Sequence, residues 1–417
     1  MLSKSQIKYF AKVGSGQGAP QRETDFSNNG IPFIRAGSLE DLLNGKDEND
    51  LPKVNVEVAK EYKLKLYQPD TIVFAKSGMS ALKGRIYKLK NPCYVVNHLA
   101  TLELFEDAVP DYVVYTLRYF SPVKLINDNA YPSLKQATVE NYEVPFPKNK
   151  EDQLHIANLL SKAENLISQR KESIRLLDEF LKSTFLEIFG APAFNQKNWS
   201  KFQFKELIAK GDKINYGVVQ PGEDGKKEGI AIVRVGDFEG IRINSKNLKL
   251  IDPIIEQKHK ASRLVGDEVL IVCVGATIGK IALADVTHAG KNIVRAIARV
   301  RCDTQILNRL YLCQLLLTAY YQFNLKNLAR TIAQPTLNIG QIEELKIIVP
   351  PIELQTRFAQ IVEKTEALKT QYQQSLQELE NLYGSLSQRA FKGELTLNKP
   401  EYESFLMAAE PEVKYSK

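Results

Sequence analysis

Residues 151–190 read EDQLHIANLLSKAENLISQRKESIRLLDEFLKSTFLEIFG. Along them Ile156, Leu160, Ala163, Ile167, Arg170, Ile174, Leu177, Leu181, Thr184 and Ile188 recur at steps of four and three. That is the heptad seam of one long helix, free of proline and with a polar break at Arg170. A helix of this length with a single apolar stripe needs a partner to cover it. The chain supplies one. Shifted by 202 residues, the seam returns as Phe358, Val362, Thr365, Lys369, Tyr372, Leu376, Leu379, Tyr383, Leu386 and Ala390. Gly384 weakens this second helix without breaking it.

The repeat extends outward over nearly the whole chain. Arg35-Ala36-Gly37 matches Arg234-Val235-Gly236 at an offset of 199, and Asp70–Phe74 matches Asp267–Ile271 at 197. Gly84-Arg85-Ile86 matches Gly279-Lys280-Ile281 at 195, as Asn97 matches Asn292. Pro132-Ser133-Leu134 matches Pro335-Thr336-Leu337 at 203, while Gln153 matches Gln355 and Phe189 matches Phe391 at 202. An ordered series with a slowly drifting offset is a tandem duplication with small loop insertions. The second module begins where the first helix ends, so the second helix is expected to return antiparallel. The expected class is α+β: two mixed α/β modules joined by two long antiparallel coiled-coil helices, with a pseudo-two-fold internal repeat. Expected boundaries are module 1 at 1–150, helix 1 at 151–190, module 2 at 191–351, helix 2 at 352–395 and a tail at 396–417.

Within the modules, 70–76, 84–90, 267–274 and 279–284 read as strands, and 110–120 and 306–321 as helices. Each module closes on an apolar strand with prolines, YEVPFP (142–147) and LKIIVPP (345–351), which mark the boundary to the helix.

The formal charge of +7 is unevenly spread. Residues 151–190 net −2, 352–395 net −1 and 396–417 net −1, so the remaining, globular parts carry +11. Modules that meet nucleic acid and helices that meet protein fit this asymmetry. The four cysteines have no C-x-x-C spacing and read as buried thiols. The four histidines lack metal-ligand spacing, so no metal site is expected. Absence of a long apolar run or signal-peptide pattern gives the expectation of a soluble cytoplasmic protein.

Motifs of catalysis fail on inspection. Gly14–Gly18 lacks a strand–loop–helix context, and Gly275–Lys280 is one residue short of a P-loop, with Ile281 in place of the Ser/Thr. Asn91-Pro92-Cys93-Tyr94 approaches the (N/D)-P-P-(F/Y) loop of DNA amino-methyltransferases, but has Cys93 for the second proline and no cofactor-binding βαβ unit. No catalytic residues are assigned. The candidate DNA-binding residues are Lys76, Ser77, Lys83 and Arg85 around the first inter-strand turn, Thr277 and Lys280 in the corresponding turn, and Arg330 and Gln334 before Pro335. Arg35 and Arg234 are read equally well as structural salt bridges.

The chain closely resembles the specificity subunit of type I restriction-modification systems. The resemblance is carried by Gly14–Pro20, IPFIRAGSLE (31–40), DTIVFAKSGMSALKGRIYKL (70–89), YGVVQPG (216–222), GIAIVRVGDF (229–238), GDEVLIVCVGATIGKIAL (266–283) and PTLNIGQIEELKIIVPPIELQ (335–355). One departure is Leu354, where an acidic residue usually precedes the glutamine; Asp152 fills that place in the first repeat. The resemblance implies two target-recognition domains, each reading half of a bipartite site on double-stranded DNA, with helices that set the unread gap. It implies two modification (methyltransferase) subunits as partners, and restriction/translocase subunits in the full complex. It also implies no cofactor on this chain, with S-adenosylmethionine, ATP and Mg on the partners. The competing readings are a degenerate or fused DNA adenine methyltransferase around Asn91–Tyr94, and a coiled-coil protein-interaction scaffold.

Overall fold

The computed structural model describes residues 2–222, 228–329 and 335–395. The chain divides into two compact units, residues 1–171 with 374–417 and residues 172–373.

Unit 1 begins with β1 (Lys4–Gln6), β2 (Ala11–Ser15), β3 (Ile31–Ile34), α1 (Ser38–Leu43), β4 (Lys53–Val54), α2 (Val56–Glu61), β5 (Leu66–Tyr67) and β6 (Ile72–Ala75). It continues with β7 (Ile86–Lys88), β8 (Cys93–Val95), β9 (Leu99–Leu104), α3 (Pro110–Tyr119), α4 (Gln136–Glu140) and β10 (Glu143–Pro145). An antiparallel sheet runs β2-β9-β6-β7, and a second sheet runs β4-β3-β8-β5. β6 is apolar throughout because it is covered on both faces. Ile72 and Phe74 enter a core with Tyr112, Leu117, Ile156 and Leu160. Val73 and Ala75 enter a second core with Phe33, Tyr94 and Val95.

α5 (Lys150–Phe189) follows, 40 residues or roughly 60 Å. Unit 2 then supplies β11 (Ser200–Gln203), β12 (Asn215–Tyr216), β13 (Ile230–Val233), β14 (Phe238–Glu239), β15 (Arg242–Ile243), β16 (Lys249–Ile251), α6 (Pro253–Gln257) and β17 (Val269–Val272). Next come β18 (Ile281–Leu283), β19 (Asn292–Ile293), β20 (Ile297–Val300), α7 (Arg309–Leu317), α8 (Ala319–Leu328), α9 (Ile339–Glu343), β21 (Lys346–Val349) and α10 (Ile352–Lys392). The order β12-β20-β17-β18 repeats that of unit 1 strand for strand. β3 pairs parallel with β8, and β13 pairs parallel with β19. Tyr112 Oη donates to Pro145 O at 3.0 Å, and Tyr311 Oη to Ile348 O at 2.9 Å, so each closing strand is pinned to the helix over it.

Both long helices cross from one unit to the other, and each unit holds the first part of one and the last part of its mate. In unit 1 the segments run antiparallel: Tyr383 Oη meets Glu164 at 3.1 Å and Lys171 meets Glu380 at 2.9 Å. Leu386, Ala390 and Phe391 complete the core begun by Ile156, Leu160 and Ala163. In unit 2 Lys369 meets Asp178 at 2.5 Å, while Phe185 and Phe189 pack on Phe358 with ring centroids 5.5 and 5.3 Å apart.

The helix expected over 306–321 is two helices. Asn308 caps the start of α7, accepting from the Leu310 and Tyr311 amides, so the helix begins later. Thr318 takes an extended backbone and returns its hydroxyl to Leu315 O at 2.7 Å, ending α7 before α8 begins. The four cysteines are free and buried, and burial pushes the Cys273 and Cys302 thiols up to about 12.

Candidate nucleic-acid interface

β6 ends at Ala75, and three separate segments meet just beyond it. Lys76 N donates to His98 O at 2.9 Å, Leu134 N to Lys76 O at 2.7 Å and Gly78 N to Pro132 O at 3.0 Å. Ser77 Oγ lies 2.8 Å from His98 Nδ1. Residues 76–78, 97–98 and 131–134 thus form one junction.

Unit 2 builds the same frame. Cys273 N donates to Ala296 O at 2.7 Å, Leu337 N to Cys273 O at 2.8 Å and Gly275 N to Pro335 O at 3.1 Å. The Tyr216 hydroxyl, whose pKa burial raises to about 12, stays a neutral donor and holds Leu337 O at 2.6 Å.

A glycine fixes the turn directly after β2 and after β12. A Cβ on Gly16 would fall 2.0 Å from Val95 O, and one on Gly217 would fall 1.8 Å from Ile293 O. Two main-chain bonds then set the turn: Asn97 N to Gln17 O and Arg295 N to Val218 O, both 2.8 Å. Asn97 is therefore the counterpart of Arg295, which corrects its pairing with Asn292. Phe33 pairs with Tyr94 as Ile232 pairs with Asn292, so Asn292 stands where unit 1 has Tyr94. Asn292 is buried, and its side chain bonds Glu256, Ser262 and His259 O.

On one backbone frame the two units present different chemistry. Lys76 corresponds to Cys273, Ser77 to Val274, Asn97 to Arg295, His98 to Ala296 and Ser133 to Thr336. Asn97 and Arg295 are exposed, and no hydrogen bond or ion pair engages either side chain among the described residues. Tyr131, beside Pro132, is 84% exposed, and Met79 is exposed next to Gly78.

Of the residues singled out from sequence, Lys76 and Ser77 lie in the junction. Lys83 is exposed at the end of the turn that follows. Arg85 is engaged by Glu40 at 2.5 Å, which lowers its availability to phosphate. Thr277 is half-buried in a short turn and corresponds to Ser80; Lys280 corresponds to Arg85 and is exposed at the rim of a cavity. Arg330 and Gln334 lie outside the described residues, as does the tail from 396. Arg234 is held by Asp237 at 3.3 Å, whereas Arg35 stacks over the Phe26 ring at 4.7 Å.

Sequence reading missed Asn97, His98, Tyr131 and Arg295 as candidates. A signal was there: Asn97-His98 interrupts the apolar run YVV-NH-LATL, and Arg295 interrupts NIV-RA-IARV. A polar pair between two strand-like runs marks a tight turn with outward side chains.

The fragments that suggested catalysis are structural. Gly275–Lys280 leads into a strand rather than a helix, so no helix N-terminus is available to cradle phosphate. Gly14 and Ser15 belong to β2, paired with β9. Asn91 gives its side-chain amide to Glu48 at 2.9 Å, and Cys93 and Tyr94 are buried within the second sheet, so Tyr94 cannot stack on an extruded base. As placed, these three fragments do not form a nucleotide or methyl-donor cradle. Among the described residues, no group of three or more His, Cys, Asp or Glu converges as metal ligands, and no helix is long and apolar enough to cross a membrane.

The model of the type I restriction modification DNA specificity domain matches residues 3–176 and again 196–381, so the chain belongs to that family and carries its domain twice. It is similar to the Type I restriction enzyme EcoBI specificity subunit of Escherichia coli, 24% identical over 412 residues, covering 90% of this chain and 82% of that one. Its fold is similar to that of the type I restriction-modification S subunit from M. genitalium, with TM-score 0.61 and 16% identity over 94% of this chain and 96% of the other. A chain from a structural study of assembly and conformational transition in the type I R-M system gives TM-score 0.54 at 17% identity, covering 93% and 97%.

Proposed function

We propose that this chain is the DNA-specificity subunit of a type I restriction-modification complex and that each unit reads one half of a bipartite site through its three-segment junction. The observation that carries the reading is one conserved main-chain frame presenting unlike side chains in the two units. A shared frame gives both units the same approach to DNA, and unlike side chains give them different sequences to read.

Within that frame the roles follow from donor geometry. Asn97 matches the paired donor and acceptor of adenine, and Arg295 the two acceptors of guanine. Lys76, Lys83 and Lys280 hold phosphates, with Ser77 and Thr277 as hydroxyl donors. Arg85, in its ion pair with Glu40, takes a lesser part. Arg330 and Gln334 remain proposed DNA contacts on sequence grounds. Tyr131 and Met79 offer apolar contact to a base or a thymine methyl group.

The chain assembles with other subunits: two modification subunits docked on the long helices and, in the full complex, restriction/translocase subunits. It is non-catalytic, and S-adenosylmethionine, ATP and Mg act on those partners. The long helices set the unread gap. The working location is the cytoplasm.

Methylome sequencing of a host carrying the chain and its modification subunit tests the reading. The expected result is one bipartite motif, lost when this chain is deleted. Methyl transfer by this chain alone would instead support the fused methyltransferase.

A further inference from the structure

Glu164 in α5 and Glu366 in α10 are counterparts, placed alike by the matching glutamines 11 residues before each. Their surroundings differ sharply. In unit 1 the Glu164 carboxylate accepts from Tyr115 Oη at 3.0 Å, Arg118 Nη1 at 3.0 Å and Tyr383 Oη at 3.1 Å. The positions equivalent to those donors in unit 2 are Gln314, Leu317 and Leu181.

All three line a cavity of about 830 Å³ that lies within unit 2, with Glu366 in its wall. Among the described residues no hydrogen bond reaches the Glu366 carboxylate, although its side chain is only 14% exposed. Lys369 stands 4.0 Å away and is taken by Asp178 at 2.5 Å, and Arg242 stands 3.8 Å away. Burial accordingly pushes Glu366 above the usual carboxylate range. The cavity thus occupies the space where unit 1 keeps its own donors. A mostly apolar pocket with a few convergent polar groups is the ordinary form of a binding site.

Charge and shape narrow the occupant. Lys182 and Lys280 line the same cavity and oppose a cation. Phe185, Phe238 and Tyr320 supply aromatic walls. Two of the three donors in unit 1 are tyrosyl hydroxyls, which are neutral. We propose that this cavity receives the ring of a tyrosine from a partner subunit, with its hydroxyl donating to the Glu366 carboxylate. The proposal rests on the reading of the chain as an assembling specificity subunit. It makes the second unit a socket where the first is self-filled, so the two units differ in how they take a partner.

Titration of the full chain with p-cresol, the tyrosine side chain as a free molecule, tests the pocket without any partner. Saturable binding is expected, with toluene at least tenfold weaker because it lacks the hydroxyl. Leu181→Tyr restores the donor that Tyr383 supplies in unit 1 and should abolish p-cresol binding. Gln314→Tyr, at the position of Tyr115, serves the same purpose if the first variant does not fold. The same variants should weaken assembly with the modification subunit at least tenfold. Equal binding of p-cresol and toluene, or none of either, would overturn the pocket's chemistry; unchanged assembly by a self-filled variant would overturn the partner as its source. Failure of the wild-type chain to assemble at all would overturn the parent reading and leave the p-cresol result standing.

Discussion

Gln153 and Gln355 make the same hydrogen bonds in their respective units, each locking the start of a long helix to the module before it. Gln153 accepts from Val109 N at 2.9 Å and donates to Asp107 O and Pro147 O at 3.1 and 2.8 Å. Gln355 accepts from Asn308 N at 2.9 Å and donates to Ile306 O and Pro350 O at 3.0 and 2.7 Å. Both side chains are fully buried. Gln153→Leu or Gln355→Leu would leave buried main-chain groups unpaired, and a loss of about 3 kcal/mol is expected from either. Urea denaturation measures it. A loss below about 0.5 kcal/mol would mean that water replaces the side chain.

Gly16 and Gly217 answer to a different constraint, the closeness of two backbones. Gly217→Ala would set a methyl group against Ile293 O, and backbone cannot give way as a flexible side chain does. A destabilisation of roughly 3 kcal/mol or more is expected, together with loss of the half-site read by unit 2. Restriction-site mapping with Gly16→Ala beside it would show the complementary loss for unit 1.

Much of this architecture was legible in the sequence, for reasons specific to each element. The long helices announce themselves because one face of each must be covered, and Leu181, Phe358 and Leu386 on their seams are buried. The paired runs at 70–76 and 267–274 were legible because strands covered on both faces are apolar throughout. The junction was not. Its bonded partners lie 22 to 64 residues apart and meet through main-chain bonds, which leave no mark on side-chain pattern. Asn97 and Asn292 were matched by identity, whereas their true register is set by parallel pairing with β3 and β13. Arg85 read as a free cation because Glu40 is 45 residues away in sequence.

Arg295 and Lys83 should separate sequence reading from simple attraction. Arg295→Ala is expected to relax the preference at one base pair of one half-site, costing about 1–3 kcal/mol of discrimination. Lys83→Ala should weaken binding to every sequence alike and reduce the slope of log K against log salt by about 1. Competition binding at several salt concentrations distinguishes the two. A uniform effect of Arg295→Ala would remove it from base reading.

Acid should weaken unit 2 through two ion pairs, Arg301–Asp267 and Arg263–Glu256. A hydrogen bond from Arg301 holds Asp267 below the usual carboxylate range, and one from Arg263 does the same for Glu256. A carboxylate with a depressed folded-state pKa contributes stability in full above its unfolded pKa, and that contribution is lost as pH falls through the folded value. The expected window therefore opens near pH 4 and extends downward. Arg301→Gln should flatten the acid limb of a urea-midpoint profile; an unchanged limb would assign acid sensitivity elsewhere.

The proposal that the long helices set the gap between half-sites predicts that the gap can be changed only by altering both helices together. Each crosses from one unit to the other, α5 between Lys171 and Glu172 and α10 between Gln373 and Gln374. Chain continuity ties those crossings together, because Glu164–Tyr383 fixes the helix register in unit 1 and Asp178–Lys369 fixes it in unit 2. Seven residues added at one crossing alone would force one of those registers to break, so loss of DNA binding or of stability is expected. Seven residues added at both crossings keep the heptad phase and lengthen the pair by about 10.5 Å. That corresponds to about three base pairs at about 3.4 Å each. Methylome sequencing should then return the same two half-sites with a gap longer by about three. An unchanged gap in the doubly extended protein would show that the helices do not set the spacing.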